Sequence, residues 1–269
     1  MQFRQQALSK LQSGDEIDLP VRFARPQGWL VLTVTVVVMI AASVWAVTGS
    51  VSTTVDAPGI LTHAQGSYVL QSPVAGQVTD VLAAEGARVP ADAPLLKVRT
   101  PQGTGVVVRS LAAGRVTALA TGIGSVVTVG ADVAAVERVA RPDDPLMAVV
   151  YVPADSGSTV PVGAAVDLTV QSVASGQYGV LRGRVKSVGR TAQSAQQIAA
   201  FLGSAQLGEQ LAGQGRPVPV LVRLLTAPDT ASGLAWSSAG GPPFRLSSMT
   251  PAGGAVHLAE QHPIDWLLP

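Results

Sequence analysis

The 269-residue sequence predicts a mainly β protein: one N-terminal transmembrane helix, a small β-sandwich, then an antiparallel β-barrel carrying a short helical insertion. Three observations predict it. An apolar block, WLVLTVTVVVMIAASVWAV, fills Trp29 to Val47. The stretch from Ser72 to Val98 returns in outline 38 residues later, from Ser110 to Val136. Most of the remainder reads as short Val- and Thr-rich runs between Gly and Pro. The boundaries expected are an N-terminal cytoplasmic segment over 1–28, the helix over 29–48, the sandwich domain over 49–140 and the barrel domain over 141–269.

No charged side chain occurs between Arg25 and Asp56, so the apolar block can cross a hydrocarbon core of roughly 30 Å, which takes about 20 apolar residues. Trp29 and Trp45 fall near its ends, where amphipathic rings anchor at headgroup level. The block is longer than the apolar stretch of a cleaved signal peptide, about 7–15 residues, and starts further in, so a retained anchor is expected. Arg4, Lys10, Arg22 and Arg25 precede it, and the first Lys or Arg after it is Arg88. That asymmetry predicts a cytoplasmic N-terminus and an outer body.

In the body, β-branched residues fit a pleated surface and Gly supplies positive φ at turns, so the runs read as strands and tight turns. The doublet aligns without gaps and shares nine identities in 27 positions, among them Gly76/Gly114 and Gly86/Gly124. Neither copy can bury its apolar face alone, so two strand-turn-strand units must close one core with approximate two-fold symmetry.

Beyond Pro145 the pattern is that of an antiparallel barrel or sandwich, and GVLRGRVKSV, Gly179 to Val188, alternates outward Arg and Lys with inward apolar groups. Ile198, Phe201, Leu202 and Ala205 fall at helical spacing within an insertion at about 194–213, which Gly203 and Gly208 weaken to one interrupted helix or two short ones. Trp236 is read as a barrel plug or as a contact between protomers. Trp266 is expected to complete a barrel strand near the C-terminus.

Several function classes are excluded. With no cysteine, neither thiol catalysis nor a cysteine metal site is available. A net charge of +1 without a long basic run lacks the footprint of a nucleic-acid binder. His63, His257 and His262 are scattered, with no HExxH spacing. Asp143 and Asp144 read as a solvated turn. Ser156 lacks the GxSxG frame and a nearby base, and TGIGSVVTVG lacks the GK[ST] of a phosphate loop. No catalytic, cofactor or metal residue is assigned.

The doublet, with its paired glycines and valines, resembles the biotinyl/lipoyl-type fold. Carrier members of that family hold an acylated lysine at the hairpin between the halves. Here that hairpin is RTPQGTG, Arg99 to Gly105, and the position reads Gln102 or Gly103; Lys97 lies in the strand before the turn. The resemblance therefore implies the fold without the cofactor.

A single-pass anchor followed by a lysine-free module of this kind resembles the periplasmic adaptor (membrane-fusion) proteins of the haemolysin-secretion D (HlyD) type. The ordered set FRQQALSKLQSGDEID, the two half-motifs, QYGVLRGRVKSVGR, the helical insertion, TASGLAWSSAGGPP and HPIDWLLP is similar to the secretion proteins of the NHLM bacteriocin system. This implies a non-catalytic subunit of an ABC-type peptide exporter with a peptidase domain, anchored in the cytoplasmic membrane. It would pack into a ring, commonly of six, as part of a conduit for a small ribosomal peptide. Gly76, Gly86, Gln102, Gly114, Gly124 and Trp236 are its candidate subunit contacts. The N-terminal 25 residues are a transporter contact or a loosely ordered tail. Only 11 residues, Arg99 to Arg109, separate the copies, so the coiled-coil hairpin of many adaptors is missing. An envelope scaffold with no transport role, or a carrier-like lipoyl protein, is the alternative.

Overall fold

The computed structural model describes residues 26–48, 51–141 and 143–261. Most of the N-terminal segment and the whole of HPIDWLLP, including Trp266 and His262, lie outside them.

Helix α1 (Pro26–Thr48) is apolar around its whole circumference, and none of its Gly28–Trp45 span is buried. Those 18 residues measure about 27 Å at 1.5 Å each, close to a hydrocarbon core. Within that span three hydroxyls interrupt the apolar surface. Thr33, Thr35 and Ser43 each donate to the carbonyl four residues back, at 2.8 Å, so no hydroxyl of theirs lacks a partner in a medium without water.

The body is a sandwich and a closed barrel. One sandwich sheet has the order β2 (Ser67–Gln71), β9 (Asp132–Arg138), β7 (Gly114–Leu119), β4 (Arg88–Val89). The other has the order β6 (Gly105–Arg109), β5 (Pro94–Arg99), β3 (Gly76–Val81), β8 (Val126–Val127). Moving 38 positions along the chain carries β2, β3, β4 and β5 onto β6, β7, β8 and β9, so the internal symmetry reaches one strand beyond the doublet. It extends to single bonds. Gly86 N–H donates to the Val116 carbonyl and Gly124 N–H to that of Val78, both at 2.8 Å. Each half thus lends its short strand to the sheet of the other, and Val78, Val98, Val116 and Val136 meet in one core.

The two glycine pairs serve different ends. Gly86 and Gly124 hold φ of +80° and +89° in exposed turns, a region that L side chains rarely adopt. Gly76 and Gly114 sit where strands press together, and a Cβ would overlap the carbonyl oxygens of Arg99 and Glu137 respectively.

The barrel closes in the order β1 (Val51–Thr62), β10 (Met147–Val152), β13 (Val218–Leu224), β12 (Leu181–Val188), β11 (Ala165–Val170), β14 (Thr250–Gln261). One assignment differs from the sequence reading. β1 falls within 49–140, yet it is hydrogen-bonded into the barrel through Gly59↔Val150 to Thr62↔Met147. Its Val, Thr and Gly content resembles that of the sandwich strands, and the long-range pairing with β10 places it in the barrel. Two one-turn helices, α2 (Ala154–Gly157) and α3 (Ser175–Tyr178), connect barrel strands.

All six side chains of β10 are buried. Ala148, Val150 and Val152 point into the barrel, while Val149 and Tyr151 point outward under helices α4 (Ala195–Leu202) and α5 (Ala205–Ala212). The insertion is therefore two short helices. Ser194 and Gln197 form a capping box at the start of α4, and Gly203 ends it in the left-handed conformation. Gly208 interrupts nothing. It lies inside α5, where a Cβ would overlap Ala199 and the Ala195 carbonyl, so it lets the helices cross closely. Ile198, Leu202 and Leu211 bury against Ile60, Val149 and Tyr151, each contributing about 1.5–3 kcal/mol.

The close approach at the inner glycines has a measurable consequence. Gly76→Ala and Gly114→Ala are expected to destabilise the protein by similar amounts, about 1–3 kcal/mol each from overpacking. Urea unfolding of the full-length protein in detergent checks this, and a null effect at either position would contradict the inferred strand contact.

Candidate functional site

The described residues hold no cluster of three His, Asp or Glu side chains placed for a metal ion. Ser156 lies in α2 with its Oγ 3.1 Å from Asp155 Oδ1. Asp144 closes a turn, where hydrogen bonding from the Arg141 backbone holds its carboxyl below the ordinary value. The surfaces of interest are those that join parts of the chain or offer a face to other molecules.

The first is the hairpin joining β5 and β6. Thr100 N–H donates to the Thr104 carbonyl at 2.9 Å, Gly103 N–H donates to the Thr100 carbonyl at 2.9 Å, and Gly103 takes φ +83°. Gln102 stands exposed at the tip. Lys97 sits opposite Val107 in the ladder, below the turn, and its side chain runs along the neighbouring Gly105.

The second is the junction between sandwich and barrel, which the sequence reading missed. Glu137, at the end of β9, is fully buried. Its Oε1 accepts from Thr62 Oγ1 at 3.0 Å and from His63 N–H at 3.0 Å, and His63 Nδ1 lies 2.9 Å away. Burial alone would raise the Glu137 pKa. The His63 side chain, Ser248 and the His63 backbone outweigh it and hold the pKa below 4.5. All of these groups belong to segments flanking or forming the barrel, so one carboxylate on a sandwich strand fastens the sandwich to it. Nearby, Arg138 N–H donates to the Gly66 carbonyl at 2.9 Å. Phe201 of α4 covers Gly66 closely enough that any Cβ there would overlap its ring. The only sequence signal for this site was an acid inside a Val/Ala strand, DVAAVER.

Of the other expected residues, Trp29 and Trp45 are 68% and 62% exposed near the two ends of α1. Gly86, Gln102 and Gly124 are exposed, as a contact requires. Gly76 and Gly114 are held by strand packing inside the sandwich. Trp236 is only 8% exposed within the barrel core, and its Nε1 donates to Ser232 Oγ at 2.9 Å. Gly114 and Trp236 are buried, and Gly76 is half-buried.

The junction carries a pH dependence. A carboxyl whose pKa is lowered on folding stabilises the fold above its unfolded pKa, and that stabilisation is lost as pH falls through the folded value. Stability should therefore decline as pH falls below about 4.5. Glu137→Gln should flatten that decline and cost about 1–3 kcal/mol at pH 7, because His63 N–H and Thr62 lose a charged acceptor. Denaturant unfolding of both proteins from pH 7 to 3 reads both effects, and parallel curves would contradict the assignment.

No protein-family model and no curated protein sequence matches the chain. Solved structures do. ZneB from Cupriavidus metallidurans matches with TM-score 0.51 at 12% identity, covering 78% of this chain and 100% of that one. MacA from Actinobacillus actinomycetemcomitans matches with TM-score 0.51 at 10% identity, covering 80% and 81%. The membrane fusion protein Spr0693 from Streptococcus pneumoniae R6 aligns over 76% of this chain and 99% of its own, at 10% identity and TM-score 0.40, too slight a likeness to weigh. At such identities the likeness is one of fold.

Proposed function

We propose that the chain is the membrane-anchored adaptor subunit of an ATP-driven exporter of small ribosomal peptides of bacteriocin type. The observation that carries this reading is the architecture. A sandwich whose carrier position holds no lysine is inserted into a β-barrel, and the body follows an apolar helix in the chain. ZneB and MacA share the body's fold. The order of sequence motifs supports the finer assignment to a bacteriocin system.

In this reading the subunit hydrolyses nothing. α1 anchors it in the cytoplasmic membrane with the N-terminus in the cytoplasm, as the basic residues before the helix favour. The body lies on the periplasmic or extracellular side, beside an ABC-type transporter with a peptidase domain. Several copies form a ring around the peptide's path, which requires a heterologous, closing interface. Gly86, Gln102 and Gly124, exposed in the sandwich turns, are its proposed contacts. The β5–β6 connection is a tight hairpin, too short to cross a periplasm. Any further reach must come from another protein, or the cell has no outer membrane.

Affinity purification of the full-length protein from native membranes in mild detergent tests this, with mass spectrometry of its partners and native mass of the complex. The expected result is a peptidase-containing ATP-driven transporter with several adaptor copies. Recovery of the protein alone, under conditions that keep other membrane complexes intact, would overturn the exporter reading and favour an envelope scaffold.

A further inference from the structure

The outer face of β12 and β13 combines two features that neither barrel closure nor the core explains. The first is charge. Arg182, Arg184 and Lys186 alternate along β12 with buried Leu181, Gly183 and Val185. Arg223 on β13 is the direct cross-strand partner of Arg184, and both are exposed. Residues so paired have Cβ atoms about 4.5–5.5 Å apart, and like charges there are destabilising. Asp167 on β11 takes Arg182 at 3.4 Å and His257 at 3.0 Å. Among the described residues no acid lies within ion-pair distance of Arg184, Lys186 or Arg223.

The second feature is a cavity of about 230 Å³ on the same face, with apolar walls from Val149, Val188, Phe201 and Leu221 and with Ser187 and Gln193 among its polar groups. It is smaller than the roughly 300–1,000 Å³ of sites for drug-sized ligands, which suits one large apolar side chain. A bulge between Val185 and Ser187 makes charge and cavity neighbours. It exposes Lys186 and Ser187 in succession and sets Ser187 opposite Leu221.

We propose that this face binds an extended polypeptide segment carrying one apolar side chain flanked by carboxylates. The apolar group fills the cavity and the carboxylates meet Arg184, Arg223 and Lys186. An extended chain presents alternate side chains to one face about every 6.6 Å, which is the repeat of the cations on β12 itself. Arg184, Arg223 and Lys186 lie within about 7 Å of one another along the two strands, and the apolar cavity beside them asks the same ligand for an apolar group, which a lipid headgroup does not carry and a polypeptide side chain does. Both strands are hydrogen-bonded on both edges in the closed barrel, so recognition runs through side chains and not through strand addition. The inference stands on this face alone and holds whether or not the chain serves an exporter.

The test uses the full-length protein in phosphatidylcholine nanodiscs and a fluorescein-labelled peptide with one leucine between glutamates, read by anisotropy. Binding is expected to weaken with salt, to vanish when the glutamates are replaced by lysine, and to weaken when the leucine is replaced by serine. The Arg184→Gln/Lys186→Gln/Arg223→Gln variant should bind about ten-fold more weakly, since each exposed pair supplies a factor of about two to five. A melting temperature at or above that of the unsubstituted protein would show that the variant is folded, since removing the like-charge pair relieves repulsion. Unchanged peptide affinity in the variant would overturn the proposal. Capture by phosphatidylglycerol vesicles without peptide binding would overturn it too, in favour of a lipid surface.

Discussion

The fold depends on a constraint of connectivity: an entire sandwich is inserted between two adjacent strands of the barrel. Thr62 and Met147 face each other across β1 and β10 although they are 85 positions apart in sequence. Closing a featureless loop of that length costs about 4 kcal/mol in chain entropy. The sandwich removes most of that cost, because its first and last strands are partners, with Ser67 opposite Glu137. The two ends of the insertion therefore leave side by side, where barrel closure needs them. Glu137 then binds the departing segment at Thr62 and His63, so barrel closure and sandwich folding share one buried carboxylate.

The internal repeat shows which residues the sandwich fold requires and which belong to its surroundings. Gly76 and Gly114, Gly86 and Gly124, and the serine turns at Ser72 and Ser110 repeat because backbone geometry repeats; both serines donate to the carbonyl two residues on. Position 137 does not repeat. Its counterpart in the first copy is Arg99, exposed beside the β5–β6 hairpin, where the chain merely turns back. At 137 the strand runs into the barrel, water is excluded, and an acid held by Thr62 and His63 replaces a solvated guanidinium. The copies diverge where one end of the sandwich is free and the other is attached.

Much of this was legible in the sequence. The helix announced itself by length and composition, the sandwich by a gapless repeat, and the alternation in GVLRGRVKSV by its period of two. What could not be read depended on distant partners. β10, MAVVYV, has no alternation, because one face is covered by the barrel core and the other by α4 and α5, 43 or more positions away. β1 looked like a sandwich strand for the same reason. Trp236 was ambiguous since a tryptophan between glycines suits a surface or a plug equally. Only the fold shows it seated beside Leu181 and covered by Gly241, a residue at φ +58°. Local pattern identifies elements, but burial of a second face is a tertiary property that composition only hints at.

The helical insertion then has a physical role of its own. A barrel strand that is apolar on both sides would leave Ile60, Val149 and Tyr151 in water, an exposed patch of the kind that promotes association. α4 and α5 cover that patch, and the end of α4 also reaches the sandwich, where Gly203 lies against Ser67 and Ala135. The same two helices therefore seal the outside of the barrel and brace the sandwich next to the Glu137 junction. Their cover stops at Phe201, and beyond it the barrel surface passes through the small cavity to the arginines of β12 and β13. A surface left partly apolar and partly cationic at the edge of a structural brace is where a partner can dock without disturbing the contacts that hold the fold together.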